Sequence, residues 1–160
     1  MENRQTSFLN GIALFLLMLI TGVFWGTWFT LTRSLTEFSA PEFIHIGKAI
    51  IGNVAIPMRF LMPAGILFMI IAVWLKKGGG TRFYIGVLSV ILIIVVLLIT
   101  LLVLVPLDNS IKTWTEVSVP PDFEAIREKW KSYHAARTFL SVASFACFTA
   151  FVLMRGKRIA

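Results

Sequence analysis

Charge is scarce in this chain: only 14 % of its 160 residues are Asp, Glu, Lys or Arg, where a soluble domain carries roughly a quarter. Because 58 % of the residues are hydrophobic, this scarcity excludes an ordinary water-soluble globule. It also excludes disorder, which needs low hydrophobicity and high charge. There is one cysteine, Cys147, so no internal disulfide staples the chain and the fold must rest on burial and helix packing. Catalytic signatures are missing as well: no Gly-rich phosphate loop after a strand, no HExxH, no CxxC and no serine in a nucleophile elbow. Acidic residues are few, eight against fifteen basic ones, for a net charge of +7. Such an excess fits a nucleic-acid patch, an anionic-lipid contact or a topology signal, and the positions of the charges decide among them.

What the chain has in quantity is long uncharged runs. A helix needs about 20 mostly apolar residues to cross roughly 30 Å of hydrocarbon. Gln5 to Thr32 and Phe83 to Leu107 carry no charge, and both read as spans. The first is too long in its apolar part for a cleaved signal peptide and lacks a small-residue cleavage site before FWGTWF. Two further runs, between Arg59 and Lys76 and between Arg137 and Arg155, are slightly short. Their helices are therefore expected to begin earlier, the second of the chain between Pro41 and Asn53 and the fourth near His134, which places Arg59 inside a span. The expected fold is an all-α membrane protein, a four-transmembrane-helix bundle in one domain over 1–160, with spans at about 8–32, 50–75, 83–106 and 134–154 and outer loops at about 33–49 and 107–133.

Lysine and arginine mark the cytoplasmic side of a membrane protein. Lys76, Lys77 and Arg82 around the Gly78–Gly80 turn, and the tail Arg155, Lys157 and Arg158, are basic and free of acids. Both regions are predicted to be cytoplasmic, with both termini inside, in a plasma or inner membrane. Six of the seven net positive charges then fall on the cytoplasmic ends. The excess reads as a positive-inside signal and a contact with the lipid bilayer, not as a nucleic-acid site. No inverted repeat of the transporter kind relates the two halves.

Within lipid, helices associate through small residues and a few hydrogen bonds. Gly22 with Gly26, and Ala143 with Cys147, are the candidate contact pairs. Trp25, Trp28 and Phe29 read as an interfacial aromatic belt, and Pro63 is expected to kink the second helix and open space beside Arg59. After Pro120-Pro121, Asp122 can cap a helix and Glu124 suits its first turn. Phe123, Ile126, Trp130, Tyr133 and Arg137 then share one face at helical spacing. This predicts an amphipathic outer helix leading into the fourth span, lying over the outer mouth of the bundle or extending the span above the membrane.

Ionisable groups inside a span normally face a partner or a wet cavity. Arg59 stands roughly 25 Å along its helix from Lys76, and Arg137 stands at nearly the same height above Arg155. Asp108 and Asn109 end the third helix on that side, and His134 lies one turn from Arg137. Five polar groups from three helices are thus expected at one level, though both arginines snorkelling to headgroups, with Asp108 pairing one of them, would satisfy the same pattern. Ser89, Thr100 and Thr149 are the notable polar side chains deeper in the bundle, which disfavours a channel or proton pump. A metal or haem would have to use His45 and His134, with Glu42 or Asp108 in support. Nothing in their spacing demands that, and no metal or cofactor is expected.

The run VPLDNSIKTW, followed by PPDF, REKW and HAART, resembles the carboxy-terminal half of the anthrone-oxygenase-like family of small four-helix membrane proteins, most of whose members have no known function. The shared elements are Val105 to Asn109, Trp114, Pro121 to Phe123, and His134, Arg137 and Thr138, with Phe123 where a Trp is commoner. Direct similarity covers residues 105 to 138, and the four-span layout agrees over the rest. Characterised fungal relatives oxidise anthrones to anthraquinones with dioxygen and no obvious cofactor. The resemblance implies a base and a cationic oxyanion stabiliser. His134 is the expected base, Arg137, with Arg59, the stabiliser, and Asp108 or Asn109 the group that orients the imidazole. Arg59, Trp114, Trp130 and Tyr133 are the expected substrate-binding residues.

Two readings follow. One is an oxidoreductase or oxygenase acting on a lipophilic phenolic, anthrone-like or quinone-like small molecule at the outer half of the bilayer. The other is a non-catalytic accessory or scaffold that binds partner membrane subunits. An enclosed cavity lined by His134, Arg137, Asp108 and Trp114 favours the enzyme; an outer end filled with side chains favours the scaffold.

Overall fold

The computed structural model describes residues 4–115 and 117–154. Glu2 and the basic tail residues Arg155, Lys157 and Arg158 lie outside the described residues. Helix α1 runs Arg4–Thr30, a 3-10 turn covers Thr32–Glu37, and α2 runs Ala40–Trp74. Helix α3, Gly80–Ile99, continues through a π-helical turn at Thr100–Leu104 into α4, Val105–Thr113, and α5 spans Phe123–Leu153. Four helical rods, Arg4–Glu37, Ala40–Trp74, Gly80–Thr113 and Phe123–Leu153, are long and apolar enough to cross a membrane, and no strand occurs among the described residues. The chain is an all-helical integral membrane protein.

The rods exceed the expected spans at one end. At 1.5 Å per residue, rods of 31 to 35 residues measure roughly 46–53 Å against about 30 Å of hydrocarbon, so much of the sequence expected as loop is helix. Helix α2 starts at Ala40 because Ser39 and Glu42 close a capping box: the Ser39 backbone N–H and hydroxyl both donate to Glu42 Oε2, at 2.8 and 2.7 Å, and Pro41 suits the first turn. Helix α5 runs unbroken from Phe123, so the segment before His134 is an extension of the fourth rod. Asp122 occupies the cap position there without making a side-chain capping bond.

Helix α1 packs between α2 and α5, and α3 packs on α5, while α2 and α3 touch more sparsely. Two apolar cores result. Near the basic connection, Ala13, Leu17, Ile20, Met69, Ile93, Phe148 and Phe151 form a filled cluster. Leu35, Phe43, Leu104, Ile111, Trp114, Phe123 and Trp130 form the other, at the opposite end. The tightest helix approaches use Gly65 and Gly86: a Cβ at 65 would lie 2.8 Å from Ile20 Cδ1, and one at 86 would lie 2.8 Å from Phe151 Cδ2. Gly22 and Gly26, expected as a contact pair, have nothing within 4 Å of an added Cβ, and Ala143 is exposed. Small-residue spacing does not mark the close helix approaches within the bundle: Gly22 and Ala143 are exposed, and Gly26 and Cys147 are half-buried.

Buried polar groups join the rods where the expected small pairs do not. Ser89 Oγ donates to the Ser144 carbonyl at 3.0 Å and Ser144 Oγ returns a bond to the Ser89 carbonyl at 2.8 Å. The Thr138 hydroxyl shares its proton between the His134 carbonyl of its own helix at 2.8 Å and the Phe24 carbonyl of α1 at 3.2 Å, which brings α5 against α1. Beyond the second core, Lys48 Nζ donates to the Trp114 carbonyl at 2.6 Å. Arg127 donates to the Phe38 carbonyl at 2.8 Å and also pairs with Glu124. Gly79 and Gly80 have φ of 76° and 84°, the left-handed region open to glycine, which allows the tight α2–α3 turn.

Candidate functional site

Between the two cores the bundle is hollow. A cavity of about 500 Å³ is bounded by α1, α2, the α3–α4 rod and α5. Apolar side chains such as Val23, Val54, Met58, Met62 and Leu97 form most of its wall. Its polar lining is Thr27, Arg59, Thr100, Asp108, Asn109, Lys112, Trp130, His134 and Arg137. The opening follows from which wall residues are exposed. Ala55, Arg59 and Pro63 on successive turns of α2 face Leu101, Val105 and Asn109 on successive turns of the opposite rod, and all six are exposed. The mouth is therefore a lateral slot between α2 and α3–α4.

The backbone explains how Asp108 reaches this space. Pro106 has no N–H and its ring crowds the carbonyl of residue 102. Just before it the rod widens, and the Val105 N–H bonds back to the Thr100 carbonyl, five residues earlier. Such π turns concentrate at functional sites. Thr100 and Leu101 of the turn line the cavity, and α4 beyond it presents Asp108, Asn109 and Lys112 to the same space.

On the facing helix, His134, Arg137 and Thr138 are all buried, with 5 %, 7 % and 1 % of their surface exposed. Arg137 does not snorkel. Its guanidinium carbon lies 4.2 Å from the ring centre of Phe24, and its Nη2 is 2.9 Å from His134 Nδ1. A guanidinium only donates, so Nδ1 accepts, and the neutral ring carries its proton on Nε2. That Nε2 is buried without a hydrogen-bond partner, and so is Arg137 Nε. Trp130 packs against His134 with ring centres 3.8 Å apart, and its indole N–H donates to Asp108 Oδ1 at 2.8 Å. The chain Asp108–Trp130–His134–Arg137–Phe24 thus links three helices along one wall. Asp108 bonds to Trp130 and not to the imidazole; the orienting bond expected from Asp108 or Asn109 comes from Arg137.

Six of the eight residues singled out from sequence line this cavity: Arg59, Asp108, Asn109, Trp130, His134 and Arg137. Trp114 and Tyr133 do not. Trp114 follows the end of α4 and turns into the second core, its ring centre 6.2 Å from that of Phe123. Tyr133 lies about 100° around α5 from His134 and packs against the same core. Phe24, Lys112 and the π turn were not singled out. Pro106 was a visible signal for the turn, whereas nothing local marks Phe24 as the platform for an arginine more than a hundred residues away. No group of three or more His, Cys, Asp or Glu able to hold a metal occurs among the described residues. His45 is exposed on α2, beside Pro41, Glu42 and Ile46.

Fold and cavity together define an integral membrane helical bundle with a mostly apolar chamber open to one side. The anthrone oxygenase family model matches residues 47–147, more than half of the chain, and the protein belongs to that family. The match takes in the π turn, both walls of the slot and the Asp108, His134 and Arg137 positions. No curated protein and no solved structure matches the chain significantly.

Proposed function

We propose that the protein is a membrane oxidoreductase of the oxygenase type, acting on a flat, lipophilic phenolic compound of the anthrone or quinone kind. The observation that carries this reading is the cavity: about 500 Å³ of mostly apolar space with Asp108, His134 and Arg137 on one wall. That volume lies within the range of small-molecule sites, which pair apolar walls with a few placed polar groups. A scaffold needs no such hollow. Family membership supports the same chemistry, in which an anthrone methylene and one dioxygen give a ring carbonyl and one water. With Lys76, Lys77 and Arg82 held on the cytoplasmic side, the slot faces the outer half of the bilayer, and a lipophilic substrate enters from the membrane.

Oxygen uptake by the purified protein in lipid nanodiscs, with anthrone as substrate and mass spectrometry of the product, tests the reading. The expected result is one dioxygen consumed per anthraquinone formed, above the spontaneous rate. No acceleration with any of a panel of anthrones and hydroquinones would overturn it and favour the scaffold.

A further inference from the structure

We infer that His134 and Arg137 form an oxyanion-binding pair and that Asp108, not His134, takes the proton. This rests on the cavity being the substrate site proposed above, and it names the substrate class: a planar lipophilic carbon acid or phenol bound as its oxygen anion.

The hydrogen bonding of His134 decides the assignment. Its Nδ1 accepts from Arg137 at 2.9 Å, so a base acting through Nε2 would move the ring proton to Nδ1 and set donor against donor. A doubly protonated ring would place two cations in contact. The arrangement instead leaves Nε2–H as a fixed donor. It and the Arg137 Nε–H are buried and unpartnered in residues that line the cavity. A buried donor left unsatisfied is destabilising, and a ligand oxygen carrying negative charge would satisfy them while facing the arginine's positive charge. Fixed donors aimed at a developing oxyanion are a strong source of rate acceleration.

Among the described residues, Asp108 is the only carboxylate lining the cavity. Trp130 donates to Oδ1, which fixes the group and leaves Oδ2 to receive a proton. In the step inferred, a ring C–H proton moves to Asp108 and the C–H electron pair is delocalised onto the ring oxygen held by His134 and Arg137. No electron leaves the substrate until dioxygen reacts.

Gln at position 134 keeps an N–H near the place of Nε2 but cannot act as a base. H134Q is therefore expected to lose about ten-fold in anthrone-dependent oxygen uptake, whereas H134A loses about a hundred-fold or more. D108N, which keeps an acceptor for Trp130, is expected to lose about a hundred-fold or more. Independently of turnover, dihydroxyanthraquinone bound to the parent or to H134Q in nanodiscs should show the red-shifted phenolate band at a pH where the free dye is neutral, and H134A should not shift it. H134Q as inactive as H134A, beside an active D108N, would reverse the assignment. A dye that stays neutral in the parent would overturn the oxyanion site. A shifted dye with no oxygen uptake by the parent would sink the oxygenase reading and leave the site standing.

Discussion

The half of the bundle next to the Lys76–Arg82 connection is solid, and the half beyond Met62 is hollow. They differ in composition, since Arg59, Asp108, Lys112, His134 and Arg137 all belong to the hollow half, and they differ in packing. In the solid half a glycine stands where a large residue of the neighbouring rod needs room: Gly65 against Ile20 and Gly86 against Phe151. The reciprocal Ser89–Ser144 bonds hold α3 on α5 there. In the hollow half the α3–α4 rod is disturbed by the π turn and α2 carries Pro57 and Pro63, while the polar groups mostly face the cavity. Lipid offers little hydrophobic driving force for closing a gap between helices. A hollow between two rods can therefore persist once the rods are braced above and below it, here by the two apolar cores.

Substitutions in the two halves should separate stability from ligand binding. Phe148 is fully buried in the solid half, and F148A is expected to lower stability by about 3 kcal/mol or more, read as the midpoint of unfolding in detergent. An unchanged midpoint would mean that this half is not close-packed. G86A forces a Cβ against Phe151 and Val73 and should cost about 1–3 kcal/mol by the same measurement. A neutral G86A would show that the α3–α5 contact yields easily. In the hollow half, V54F adds volume where the wall is open; it should change stability by no more than about 0.5 kcal/mol yet weaken dye binding at least ten-fold. A strongly destabilised V54F would contradict the cavity. Smallest of all, G22A has nothing within 4 Å and should leave both the midpoint and dye binding unchanged.

Much of the layout was legible in the sequence because membrane crossing imposes a length and a composition. The gathering of Arg59, Asp108, Asn109, His134 and Arg137 was legible by a similar argument, since counting along rods of known rise puts them at one height. Direction around a rod is harder to read. Tyr133 differs from His134 by one position and faces another core, and Trp114 sits past the end of its helix, where periodicity no longer applies. Gly22 and Gly26 had the right spacing, yet nothing lies within 4 Å of where a side chain at either would begin. The start of α2 was written in Ser39-Ala40-Pro41-Glu42, a signal that hydropathy overlooks because it lies in a polar stretch. Which nitrogen of His134 meets Arg137 is not legible in the sequence, since the spacing of 134 and 137 on one helix suits either.

The π turn also alters how the third rod keeps count. Its interior positions are Gly86, Ser89, Ile93 and Val96, stepping alternately by three and four, and then Thr100, Leu104 and Asp108, stepping only by four. The turn has taken up one extra residue, so the rod's two parts stay in phase with the cavity although their numbering has slipped. A chain shortened by one residue between Thr100 and Leu104 could close the bulge into plain α-helix and still aim Asp108 inward, a little nearer the middle of the bilayer. Length at this point acts as an adjustment of position: within the same four-rod frame, it sets how far along the rod the carboxylate stands.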